Sequence, residues 1–127
     1  MEVIKIAATQ DTPNVILDAN NGIFEISGKS LPEDVNSFYG PIVNWLDEYS
    51  KSPNDKTVFD FKLDYINTAS SKYLFTIFLK LEKLYEAGHD VLIRWHFAED
   101  DEDMEDVGHE FDDVIKLPFE HLPYSVD

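Results

Sequence analysis

The sequence contains no cysteine among its 127 residues. Disulfide bonds, thiolate metal sites and cysteine nucleophiles are therefore excluded, and the fold must be stabilised by packing alone. Long hydrophobic runs are also missing, since no stretch approaches the roughly 18 to 20 apolar residues that cross a membrane. The first six residues lack the basic and apolar segments of a secretion signal. The sequence therefore predicts a cytoplasmic protein without membrane insertion.

Basic residues are scarce, with ten Lys and Arg against 26 Asp and Glu, and the formal net charge is −16. This charge would repel a phosphate backbone instead of releasing its counterions, so nucleic acid is not expected as a partner. The excess of acidic residues is concentrated in one part of the chain. Residues 99–113, the acidic segment, hold ten Asp or Glu and no Lys or Arg.

Large apolar side chains are plentiful, with 43% hydrophobic and 13% aromatic residues. A chain of this length fits one domain that needs no disulfide to support its core. We therefore expect a single domain over residues 1–127.

Alternation of apolar and polar residues predicts a short edge strand at residues 3–7 and a hairpin that joins residues 15–17 to residues 23–27. The Asn-Asn-Gly sequence between the hairpin strands tolerates the positive φ angles of a tight turn. A hydroxyl, a proline and acidic residues at 30–34 then predict a helix start. The helix that follows carries apolar residues at spacings of three and four, with an internal proline that favours a kink.

The middle of the chain predicts a strand-helix-strand unit. Residues 57–66 alternate as a strand, a helix runs from Ser70 or Ser71 to Gly88, and residues 90–97 alternate again. This order predicts two parallel strands with a crossover helix, and a short third helix follows within the acidic segment. The expected fold class is α/β, a mixed sheet with helices packed on one face. The apolar row of the first strand is predicted to comprise Phe59, Phe61, Leu63 and Tyr65.

Polar residues cluster at the elbow between this first strand and its helix, residues 65–71. The carboxyl ends of parallel strands are where open α/β sheets place functional groups. A phosphate on Thr68 would lie near the unpaired N–H groups of a helix N-terminus. Ser, Thr and Asn are also the preferred helix caps, and the local sequence alone favours that plainer interpretation. The four residues concerned are Asn67, Thr68, Ser70 and Ser71.

The sequence Asp64-Tyr65-Ile66-Asn67-Thr68-Ala69-Ser70-Ser71-Lys72 resembles the SiaC family of bacterial regulatory phosphoproteins, formerly a domain of unknown function. The resemblance spans nearly the whole chain. It includes Thr9-Gln10-Asp11-Thr12-Pro13, Ser30-Leu31-Pro32-Glu33, Trp45 and Ile93-Arg94-Trp95.

The resemblance implies a variant of the anti-sigma-factor-antagonist (STAS) fold and a regulatory protein without catalytic activity or cofactor. It implies that a partner kinase of the histidine-kinase-like ATPase type phosphorylates Thr68 and that a PP2C-type phosphatase removes the phosphate. The implied output is direct binding to a protein such as a diguanylate cyclase, and so control of cyclic-di-GMP and biofilm formation. Residues expected to flank the switch or contact a partner are Asn67, Ser70, Ser71 and Lys72.

Two other classes of function are weighed against this one. An enzyme is disfavoured, because the four histidines lack metal-ligand spacing such as HExxH and the serines lack a Gly-x-Ser-x-Gly pattern. The alternative is an acidic module that binds calcium or a basic partner without a phosphate switch. An EF-hand starting at Asp101 would need glycine and glutamate where Asp106 and Asp112 stand, so a solvated acidic helix is favoured.

Overall fold

The structure, a computed structural model, describes residues 1–126 as six strands and three helices. None of these helices combines the length and apolar character needed to cross a membrane. The elements are β1 (Ile4–Ile6), β2 (Asn14–Asp18), β3 (Ile23–Ser30), α1 (Val35–Tyr49), β4 (Lys56–Ile66), α2 (Thr68–Glu86), β5 (Asp90–Ala98), α3 (Glu102–Val114) and β6 (Phe119–Tyr124).

All six strands form one mixed sheet, and their order across the sheet is their order along the chain. The pairs β1–β2 and β2–β3 are antiparallel, which confirms the predicted hairpin. The pairs β3–β4, β4–β5 and β5–β6 are parallel, which confirms the predicted strand-helix-strand unit. The carboxyl ends of four neighbouring strands therefore lie at one edge of the sheet.

The three helices cover the same face of the sheet, as the expected fold class requires. Each contributes large aromatic side chains to the row of buried residues that faces them, and burying each one stabilises the fold by about 1.5–3 kcal/mol. Ring centroids lie 6.0 Å apart in the Phe24–Trp45 pair, 5.0 Å in Phe61–Phe78 and 5.9 Å in Trp95–Phe111.

The opposite face of the sheet carries the polar residues that alternate with the apolar row along the strands. Lys62 Nζ lies 3.0 Å from Glu25 Oε1, and Arg94 Nε donates to Asp60 Oδ1 at 2.8 Å. His96 Nε2 lies 2.7 Å from the same Asp60 oxygen. Cross-strand pairs of opposite charge therefore line the middle of this face.

Two helices begin at residues other than those predicted. The N-cap of α1 is Asp34, whose carboxylate accepts from Ser37 N, and Ser30 is instead the buried last residue of β3. The helix runs through Pro41 to Tyr49. The α2 helix starts at Thr68, ahead of the predicted Ser70 or Ser71, because the preceding asparagine already caps it.

The prediction that Tyr65 belongs to the buried row of β4 is wrong. Leu63 pairs with Gly28 and Tyr65 with Lys29, so Asp64 is an extra residue that forms a β-bulge. A bulge shifts the side-chain alternation by one position. Tyr65 is consequently 52% exposed, while Ile66 packs against the core in its place.

Candidate functional site

The elbow lies where β4 ends and α2 begins, at the edge of the sheet that holds the carboxyl ends of the parallel strands. A single residue, Asn67, separates the two elements. A shallow pocket opens beside it, and α3 contributes one side chain to its wall. The lining residues are Ile66, Asn67, Thr68, Ser71, Lys72 and Val107.

Asn67 fixes the elbow through three hydrogen bonds. Its side-chain oxygen accepts from Ser70 N at 2.8 Å, the N-cap interaction that satisfies one unpaired donor of the first turn. Its carbonyl oxygen accepts from Ser71 N, and its own N–H donates to the Ser30 carbonyl, each at 3.0 Å. Asn67 is therefore a cap, as the plainer interpretation of the elbow holds.

Ser70 is a structural residue with 0% of its surface exposed, so it offers no hydroxyl to a kinase or a partner surface. Its Oγ donates to the Ser30 carbonyl at 3.1 Å and accepts from Ser30 Oγ at 2.9 Å. The Tyr39 hydroxyl completes this buried network, 2.5 Å from Ser30 Oγ. Burial raises the pKa of Tyr39, although its hydrogen bonds to Ser30 and Ser70 oppose the shift.

Thr68 of the elbow and the following Lys72 are exposed, while Ser71 is half-buried. Thr68 is the first residue of α2 and Lys72 lies four residues later, so the two share one side of the helix. The N–H groups of the first turn give this end of the helix a partial positive charge of about half a unit. Thr68 is therefore the most exposed serine or threonine of the elbow, and it lies next to N–H donors and the Lys72 cation.

The acidic segment comes close to the same edge. Within this segment, Asp101 caps α3, because its carboxylate accepts from Met104 N at 3.1 Å. Burial raises the pKa of Tyr124, and the nearby charges of Asp64, Asp101 and Asp100 raise it further. Asp64 of the bulge therefore lies near the acidic loop that precedes α3. Acids at the front of a helix suit its dipole, which favours the predicted solvated helix over a calcium loop.

Sequence reasoning missed the supporting residues behind the elbow. Ser30 was predicted near the start of α1, yet it is fully buried. Tyr39 is also fully buried, although it was not assigned to the predicted apolar stripe of that helix, which comprised Val35, Phe38, Ile42, Trp45, Leu46 and Tyr49. The only local signal is that Tyr39 follows Phe38 in a helix that already has an apolar face. Its partners lie nine and 31 residues away along the chain.

The fold and the elbow together define the class of the protein. It is a small α/β protein in which a mixed sheet supports an exposed threonine at a helix N-terminus.

Comparison with known proteins identifies the family. The model of the SiaC family regulatory phosphoproteins matches residues 6–124. The chain belongs to this family, and it is a regulatory protein and not an enzyme.

Relatives from Pseudomonas aeruginosa cover nearly the whole chain. An uncharacterised protein of strain UCBPP-PA14 is 29% identical over 119 residues, which are 94% of each chain. The crystal structure of apo-SiaC is 27% identical, with a TM-score of 0.88 over 96% of this chain and 99% of that one. A chain in the crystal structure of the diguanylate cyclase SiaD in complex with its activator SiaC is 27% identical. Its TM-score is 0.89, over 95% of this chain and 99% of that chain.

Proposed function

We propose that the chain is a phosphorylation-switched binding protein in which Thr68 accepts the phosphate. The observation that supports this choice is the different exposure of the elbow hydroxyls. Thr68 is exposed at the first position of α2, Ser70 is fully buried and Ser71 is half-buried. A kinase must reach the hydroxyl oxygen to transfer a phosphoryl group, so the accessible residue is favoured.

The proposed modifying enzymes are a partner kinase of the histidine-kinase-like ATPase type and a PP2C-type phosphatase. Membership of a family of regulatory phosphoproteins supports reversible phosphorylation. The surroundings of Thr68 suit both the addition of a phosphate by the kinase and its removal by the phosphatase. The N-terminal N–H groups of α2 and the Lys72 cation favour a phosphate locally, while exposure leaves it open to hydrolysis.

The proposed output is a diguanylate cyclase, which the unmodified elbow binds directly and thereby controls cyclic-di-GMP signalling and biofilm formation. Support comes from the relative SiaC, which is an activator found in complex with the diguanylate cyclase SiaD. A phosphate on Thr68 adds about −1.5 to −2 charge at pH 7. That charge would lie at an edge that already carries Asp64 and the acidic loop, and it must be desolvated or displaced when a partner docks.

Phosphosite mapping tests the first part of the proposal. Wild type, Thr68→Ala and Ser71→Ala are purified from cells that contain the native kinase, and intact mass and peptide mapping are recorded. We expect one phosphate on wild type and on Ser71→Ala, and none on Thr68→Ala. Phosphate retained on Thr68→Ala, or mapped to another residue of the wild type, would contradict the assignment.

Binding to the cognate cyclase tests the second part. Unmodified wild type and Thr68→Ala should bind with similar affinity, because neither carries the added charge. The phosphorylated protein should bind at least tenfold more weakly, a loss of about 1.4 kcal/mol. Equal affinities for all three samples would show that the elbow does not switch binding, even if Thr68 is phosphorylated.

A further inference from the structure

A second cluster of polar side chains lies between α3 and β6. His109 and Asp112 project from α3, and His121 comes from β6. One potential ligand atom from each residue lies within 4.8 Å of the others. Twelve positions separate the two histidines, so the cluster forms only when β6 pairs beside β5 and comes under α3.

We propose that His109, Asp112 and His121 form a binding site for a divalent transition metal, with Zn²⁺ as the best-matched ion. This inference does not depend on the proposed role of Thr68.

The geometry brings these groups together closely. His121 Nε2 lies 2.8 Å from Asp112 Oδ2, and the imidazole rings of His109 and His121 stack with their centroids 4.0 Å apart. Zn²⁺ binds nitrogen and carboxylate oxygen at about 2.0–2.2 Å, which places tetrahedral ligand atoms about 3.4 Å apart. Bringing atoms that are up to 4.8 Å apart to that spacing takes adjustments of up to about 1.4 Å, with rotation of the stacked rings so that their nitrogens converge on the ion.

Glu105, one turn before His109 on the same side of α3, offers a fourth ligand. Its Oε2 lies 3.8 Å from His109 Nε2. Residues 105, 109 and 112 therefore form a single stripe at the i, i+4, i+7 spacing. The fourth ligand of the ion is either this carboxylate or a water molecule, as in zinc sites with three protein ligands.

The His121 ring is the independent observation that this cluster is incomplete. Its side chain is only 19% exposed, and its Nδ1 is buried without a hydrogen-bond partner among residues 1–126. An unpaired buried polar atom costs about 1–3 kcal/mol. His121 therefore has one nitrogen, Nε2, against the carboxylate of Asp112 and a second, Nδ1, that is buried without a partner.

The ligand set also indicates which ion is bound. Calcium and magnesium prefer shells made of oxygen ligands, whereas two imidazoles and a carboxylate suit zinc and its neighbours in the periodic table. The acidic residues that surround the cluster add a favourable field for a cation. Because α3 also supplies Val107 to the pocket beside Thr68, a metal that ties α3 to β6 would stabilise one wall of that pocket.

The test is a titration of the full, tag-free chain with ZnCl₂ by calorimetry, with Co²⁺ as a spectroscopic substitute. We expect saturable binding at one ion per chain and intense visible absorption from tetrahedral Co²⁺. The variants His109→Ala and Asp112→Asn should each weaken zinc binding at least about tenfold. The matched control is His89→Ala, which removes a histidine outside the cluster and should leave the affinity unchanged.

A further variant, His121→Ala, removes a half-buried side chain, so the folding of every variant is measured in parallel. His109 is 52% exposed, so His109→Gln should keep the circular dichroism spectrum and urea midpoint of the metal-free wild type while losing zinc affinity. The proposal is overturned if no stoichiometric binding occurs up to millimolar zinc. It is also overturned if zinc binding survives the loss of both histidines, or if excess Ca²⁺ displaces the ion, since each places the binding on the acidic segment.

Discussion

Substitution of Gly108 by alanine should destabilise the protein, although the same change usually stabilises a helix. Gly108 lies within α3 against the indole ring of Trp95, and a Cβ atom added there would lie 2.6 Å from Nε1 and 2.9 Å from Cγ. Real Cβ atoms do not approach so closely. The ring has little freedom to retreat, because Trp95 is fully buried and its Nε1 donates to the Met104 carbonyl at 2.9 Å.

Three terms set the change in the free energy of unfolding, one stabilising and two destabilising. Alanine is more favourable than glycine in a helix interior by about 1 kcal/mol. Overpacking a well-filled core costs about 1–3 kcal/mol, and displacing the indole from its buried acceptor costs a further 1–3 kcal/mol. We therefore expect Gly108→Ala to lower the free energy of unfolding by about 1–5 kcal/mol, with α3 lifted from the sheet.

Urea denaturation followed by circular dichroism measures this loss, and Gly40→Ala is the matched control. Gly40 lies within α1, and a Cβ there would meet nothing within 4 Å beyond its chain neighbours. Pro41 disfavours helical geometry for a preceding residue that has a Cβ, so the gain in helix propensity from Gly40→Ala is partly offset. A change within about 1 kcal/mol in either direction is expected for the control.

A double-mutant cycle isolates the contact with the indole. Trp95→Ala removes the indole ring that the new Cβ would strike. Gly108→Ala should therefore cost less in the Trp95→Ala background than in the wild type, and the two changes should not be additive. The reasoning is refuted if Gly108→Ala is as stable as the wild type, or if the two substitutions add within 0.5 kcal/mol.

Two more predictions concern the elbow and its buried support. Asn67→Ala should lower the free energy of unfolding by about 1 kcal/mol and speed amide hydrogen exchange at Ser70, because the N-cap bond is lost. The control Asn67→Asp keeps the cap. Unchanged exchange at Ser70 in the alanine variant would argue against the cap. The raised pKa of Tyr39 means that the folded state holds this proton more tightly than the unfolded state. Stability should therefore fall as the pH rises above 10, and Tyr39→Phe should flatten that alkaline loss in denaturation curves recorded between pH 8 and 11. An equally steep loss in both proteins would exclude Tyr39 as its source.

Much of the fold was predictable because it depends on local periodicity. The hairpin, the alternation of β4 and β5 and the apolar stripe of α2 each follow from spacing within a few residues. Parallel pairing then followed from the order of strand, helix and strand. Even the third helix in the acidic segment was indicated by its apolar residues Met104 and Phe111, which are buried.

The errors occurred where one element depends on another. Alternation placed Tyr65 in the core, but the bulge at Asp64 depends on the register with β3, which sequence patterns do not encode. The hydroxyls at the elbow look equivalent in the sequence. Their accessibility differs because Ser70 faces Ser30, forty residues away, while Thr68 faces outward.

The sequence by itself determined the composition of the core, the order of the elements and the family-like pattern around Thr68, since each is carried by neighbouring residues. Only the tertiary structure decided which elbow hydroxyl is exposed, which aromatic side chain stays outside and that His109 meets His121. These outcomes depend on how distant segments pack against one another, and close packing admits few alternatives once the sheet register is set.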